Sequence, residues 1–214
     1  MRPRPLERRN ISSVQIKDMN VLINKVSDGS LTLLERQVVK VLIHEVATLR
    51  QKGVRNDGAW TKRIFEALAD NAYAELSAEA CYPGGRARGH NGGWLADFVL
   101  YCNDLKGNFL RLLLVAESEW RQEIGALIYD FEKLLVLRAD HRLFLFQAVS
   151  GRQIENDLTD LVECAAHHEL LIPGDRCLFA AYDRSSGGLE FHLWVHQEGV
   201  CHITPSDSIA ESTS

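Results

Sequence analysis

Cysteine is scarce in this chain and poorly placed for pairing: Cys81, Cys102, Cys164, Cys177 and Cys201 are odd in number, widely spaced and without a CxxC pair. That excludes a disulfide framework and a cysteine-based zinc site, and leaves reduced, mostly buried thiols. No run approaches the roughly 20 apolar residues that a membrane-spanning helix needs. The start, Met1-Arg2-Pro3-Arg4-Pro5, is followed by no apolar signal core. A cytoplasmic protein without membrane contact is therefore expected. Positive charge is not in excess either: the formal net charge of -5 excludes a sequence-independent basic coat for nucleic acid. Internal repeats and low-complexity segments are missing as well.

What is present is ordinary globular composition, 46% hydrophobic and 25% charged over 214 residues, enough for one main domain with a sizeable core. The expected division is a helical extension over 1–58, a core domain over 59–200 and a short polar tail over 201–214. Residues 14–26 carry scattered Val, Ile and Leu without a firm period. From Leu31 to Leu49, the positions of Leu34, Val38, Val41, Leu42 and Leu49 follow helical spacing, with Ser30 or Thr32 as cap. A second helix is predicted from Thr61 to Ala80, with Ile64, Phe65, Leu68, Ala72 and Leu76 on one stripe. Arg121 to Arg138 repeats Ile124, Leu127, Ile128, Phe131, Leu134 and Leu135, the clearest helical pattern in the chain. A further helix is expected over Asn156 to His168. Strands are predicted at Ala96 to Cys102, Leu112 to Glu119, His141 to Gln147, Arg176 to Asp183 and Leu189 to His196. The order implies an α/β protein with a mixed sheet of about five strands and helices on both faces. The unit from Leu112 to Gln147 is expected to be a right-handed parallel crossover.

One strand carries the chemistry. Leu112, Leu113, Leu114, Val115 and Ala116 read as fully buried, yet Glu117-Ser118-Glu119 follows directly. Side chains alternate on a strand, so Glu117 and Glu119 share a face and Ser118 points away. Buried carboxylates need a compensating cation. Asn103-Asp104-Leu105-Lys106-Gly107-Asn108 reads as a hairpin turn, and placing Leu105 opposite Phe109 sets Asp97 opposite Glu117. An oxygen-rich cluster of that kind suits magnesium or manganese.

The residues Ala96-Asp97, Glu117-Ser118-Glu119-Trp120 and Asp130-Phe131-Glu132-Lys133-Leu134-Leu135, set in this order of elements, resemble the PD-(D/E)xK nuclease superfamily, the restriction-endonuclease-like fold. The likeness spans roughly residues 60–147. It implies a metal-dependent nuclease acting on DNA, with Asp97 and Glu117 as ligands of Mg2+ or Mn2+. Most members carry lysine where this chain has Glu119; some restriction enzymes have a carboxylate there, which makes Glu119 a candidate general base or further ligand. Transfer of the lysine role to Lys133 is disfavoured by helical counting, which sets Lys133 nearly opposite the Ile124, Phe131 and Leu135 face. Glu75 is the candidate for the further acid that members often supply from the preceding helix, and a surface glutamate is its bland alternative. The rival implied by the missing lysine is a catalytically inactive member serving as an assembly or DNA-binding subunit. Many members are homodimers, for which the Leu31 to Leu49 helix is a candidate interface.

Arg86, Arg88 and His90 lie in the glycine-rich loop before Asp97 and are candidates for phosphate contact, with a solvated surface as the plain alternative. Asp130 is placed to cap its helix or to pair with Arg121 or Arg138. The adjacent pair His167-His168 faces two directions on a helix and suggests no ligand set, and His192 and His196 share a strand face with Trp194. Trp60, Trp94, Trp120 and Trp194 read as packing residues, with Trp120 able to wall the site.

Overall fold

The structure, a computed structural model, describes residues 24–26, 31–76, 78–83, 94–196 and 199–203. Its elements in chain order are β1 (Asn24–Val26), α1 (Leu33–Gln51), α2 (Asp57–Leu76), β2 (Glu79–Cys81), β3 (Phe98–Asn103), β4 (Phe109–Glu119), α3 (Ile124–Val136), β5 (Ala139–Ala148), α4 (Gly151–Ala166), β6 (Arg176–Asp183), β7 (Gly188–Val195) and β8 (Gly199–Ile203). They build one eight-stranded sheet in the order β1-β8-β7-β6-β5-β4-β3-β2. β4, β5 and β6 run parallel, β2, β3 and β4 antiparallel, and β6, β7 and β8 antiparallel, with β1 parallel to β8. The mixed sheet expected from the order of elements is the sheet observed, and the two parallel steps are bridged by α3 and α4.

Strand alternation divides the core into two layers. Leu143 and Leu145 of β5, with Leu178 and Ala180 of β6, meet Leu42, Val46, Ile64 and Phe65 of α1 and α2. Phe144, Phe146, Phe179 and Ala181 point the other way, into Leu127, Phe131, Leu161 and Ala165 of α3 and α4. A strand buried on both faces reads as a continuous apolar run, as β5 and β6 do. α1 begins with a capping box: the Glu35 amide donates to Thr32 Oγ1 at 3.2 Å and the Thr32 amide to Glu35 Oε2 at 2.8 Å.

The sheet has eight strands rather than about five because the short β1, β2 and β8, at or next to its edges, carry little local signal. β2 falls at the end of the helix predicted from Thr61 to Ala80. Its Glu and Ala favour helix locally, and pairing with β3, joined by the Tyr101 hydroxyl on Glu79 at 3.1 Å, overrides that preference. β8 takes residues 199–203, which overlap the polar tail predicted over 201–214. Among the described residues no helix is long and apolar enough to cross a membrane.

Candidate active site

The β3–β4 hairpin delivers the first pair of acids. Its turn is closed by Asp104, whose Oδ1 accepts the amides of Lys106 and Asn108 at 2.8 Å, with Gly107 at φ 83°. Phe98 pairs with Ala116, so Asp97 comes alongside Glu117 as expected. The route to that register differs from the one predicted. Asn103 pairs with Phe109, and irregularities at Leu100/Tyr101 and Cys102/Asn103 each place one additional residue on β4, which restores the alignment at the site.

Glu117 is 1% exposed and Glu119 6%, both on the α3 side of the sheet. The Asp97 amide donates to Glu117 Oε1 at 3.1 Å. The other oxygen, Oε2, receives Lys133 Nζ at 2.7 Å, and the same ammonium contacts Asp130 Oδ1 at 2.8 Å. Lys133 therefore reaches the site, contrary to helical counting. Counting treats side chains as radial spokes, whereas a lysine stem runs along the helix flank and brings its head past Asp130.

Glu119 diverges from this group. Its Oε1 accepts the Arg121 amide at 2.7 Å and its Oε2 accepts Arg121 Nε at 3.0 Å, while it also hydrogen-bonds Asp130. Asp97 and Glu117 are thus side by side, while Glu119 is held by the guanidinium next to it. Asp130 pairs with Lys133 rather than with Arg121 or Arg138, and Arg138 instead meets Asp175 at 3.3 Å. Among the described residues no three histidines, cysteines or carboxylates form a ligand group.

Charge in the site is unevenly compensated. Burial, with the neighbouring Asp97 charge, pushes the Glu117 carboxyl up to about 7 against the pull of Lys133. Burial would lower the Lys133 ammonium, but the hydrogen bonds to Asp130 and Glu117 outweigh it and hold that ammonium well above its ordinary value. Burial raises Asp130, and its bond to Glu119 adds to this. For Glu119 burial is outweighed by Arg121, which keeps the carboxylate ionised.

Ser118 points to the opposite face and anchors Asp97: its amide and Oγ both donate to Asp97 Oδ2 at 3.1 Å. Ser118 Oγ also lies 3.0 Å from Thr61 Oγ1, which accepts the Trp120 indole N–H at 2.8 Å. The role of Thr61 was illegible in sequence, since it arises across 57 residues of chain. The i,i+3 pair Asp130 and Lys133 was the available clue to a charged flank on α3. Glu75 falls in the last turn of α2, and its side chain lies outside the described structure. Arg86, Arg88 and His90 lie outside the described residues.

No protein-family model matches the chain, and no curated protein matches it. Among solved structures it is similar to NucC of P. aeruginosa ATCC27853 in its cAAA-bound form. The two share 10% sequence identity over 76% of this chain and 84% of that one, with a TM-score of 0.42.

Proposed function

We propose that this chain is a nuclease that hydrolyses phosphodiester bonds in DNA with the help of a divalent cation. The observation that carries the reading is the Asp97–Glu117–Lys133 group at the carboxyl end of β4: two adjacent acids, one of them buried, with a lysine on the second. The hard oxygens of Asp97 and Glu117 suit magnesium or manganese, and burial, with the neighbouring Asp97 charge, raises the Glu117 carboxyl, so that added positive charge is favoured there. Those two residues would hold the ion, which supplies Lewis-acid stabilisation of charge building on the phosphate.

Lys133 takes the part that the family gives to the lysine of its motif. Because its ammonium is held charged, it acts as a donor, orienting the attacking water and stabilising the phosphoryl oxygens, rather than as a base. Glu119, with both oxygens on Arg121, supports the site through Asp130 and is poorly placed to take a proton. Arg86, Arg88 and His90 would meet the DNA backbone, Glu75 is a further candidate acid, and a homodimer would address two strands.

Incubation of DNA with magnesium tests the reading. Cleavage is expected, and loss on chelation or in Asp97→Ala and Glu117→Ala. Magnesium-dependent cleavage that survives both substitutions would sink it. A second reading, an inactive subunit of the same fold, is favoured by one observation: the Glu117 and Glu119 oxygens already have protein partners. A silent calorimetric titration with manganese would support that reading.

A further inference from the structure

On the opposite face of the sheet from Glu117, the ends of β4, β5 and β6 and the start of α2 enclose a cleft of about 580 Å³. That size suits a small ligand or one nucleotide. Its walls are Trp60, Trp120 and Tyr182, and Val54, Arg55, Asp57, Gln147 and Arg184 complete it. The rings are set at angles, Trp60 being 5.8 Å from Trp120 at 72° and 5.2 Å from Tyr182 at 56°, so none of these pairs is stacked flat. Both indole N–H groups are engaged elsewhere, Trp60 on the Val54 carbonyl at 2.9 Å and Trp120 on Thr61. Trp60 is 8% exposed and backs the cleft, so the π surface offered to a ligand comes chiefly from the half-buried Trp120 and Tyr182. Arg55 and Arg184 are exposed, and neither forms an ion pair with a described residue. Aromatic walls beside two guanidinium groups and one carboxylate, Asp57, leave the cleft net positive and fit a heterocycle that carries a phosphate.

The cleft is tied to the acidic site. From Trp120 a chain of hydrogen bonds runs through Thr61 and Ser118 to Asp97, at 2.8, 3.0 and 3.1 Å. We infer that the cleft is a nucleotide-binding site, which receives one unstacked base of the substrate strand against Trp120 and Tyr182, backed by Trp60, while Arg55 and Arg184 hold its phosphate. The inference rests on the nuclease reading for the source of the nucleotide, and the wall geometry stands apart from it.

Binding of a labelled short single-stranded DNA, followed by anisotropy and tryptophan fluorescence in chelator, tests it against the same strand made abasic and against deoxyadenosine monophosphate. The intact strand is expected to quench tryptophan and to bind roughly 5- to 150-fold more tightly than the abasic one. That advantage should vanish in Trp120→Leu, and Arg184→Glu, a change at an exposed position, should weaken the intact strand. Equal binding of both strands, unaffected by Arg184→Glu, overturns the inference while leaving the nuclease reading intact. Quenching by the mononucleotide without any DNA binding overturns the inferred strand site and leaves the nuclease reading to the cleavage assay. No response to any probe overturns the inference, and cleavage with magnesium decides the nuclease reading separately.

Discussion

A carboxylate as buried as Glu117 is costly to ionise, and Lys133 offsets that cost only in part. Its carboxyl is raised in the fold from an ordinary value of 4.5, so the stability this group contributes is present below that value and is lost as pH rises through about 7. Glu117→Gln cannot ionise. We expect it to abolish cleavage yet melt no lower than the natural protein at pH 8, and to be more stable there by up to about 3 kcal/mol; a lower melting temperature at that pH would contradict the account. Lys133→Met should reduce the cleavage rate by roughly a hundred- to a thousandfold with circular dichroism unchanged, as expected for removal of one donor to developing charge. Substitution of Arg121 should have a smaller effect on rate, because its partner Glu119 does not touch the Asp97–Glu117 pair directly.

At the scale of the elements, α1 is fastened to the sheet by Glu35, which is 2% exposed and serves both its own helix cap and the strands beneath. Arg176 of β6 reaches it at 2.6 and 2.7 Å, and His141 of β5 at 3.2 Å. Burial would raise this carboxyl, but the hydrogen bonds from His141, the Thr32 amide and Arg176 prevail and hold it below 4.5. The stability it contributes is present above that value and is lost as pH falls through the lower folded one. Glu35→Gln should cost roughly 3 kcal/mol at neutral pH. Thermal melts between pH 5 and 3 should show the natural protein losing stability more steeply than the variant. The cap itself was legible from Thr32 and Glu35; the strand partners were not, because Arg176 lies 141 residues away.

For the whole molecule, a net charge of -5 requires that any grip on DNA be local. If Arg86 and Arg88 each neutralise one phosphate, replacing both with alanine should make the slope of log affinity against log salt shallower by about 1.8. Anisotropy titrations over a range of salt measure this, and an unchanged slope would remove both residues from the interface. The sheet is built so that its three parallel strands end on one side, where the acids and the aromatic cleft sit on opposite faces of β4. Open α/β sheets place ligands at that edge for the same geometric reason.

By itself the sequence determined the parts that depend on local periodicity. The buried strands β4, β5 and β6, the stripe of α3, the hairpin turn at Gly107 and the pairing of Asp97 with Glu117 all follow from alternation and turn chemistry. The last of these held even though the hairpin began two residues away from the predicted pairing, because burial on both faces pins the register at the carboxyl end and the bulges absorb the difference. Only the tertiary structure decided which charges meet. Lys133 reaches Glu117 along a helix flank, Arg121 draws Glu119 away, and a cleft forms from the α1–α2 connection, the start of α2 and three strand ends. Side-chain reach and electrostatic choice among several partners act through space, and neither leaves a period in the chain.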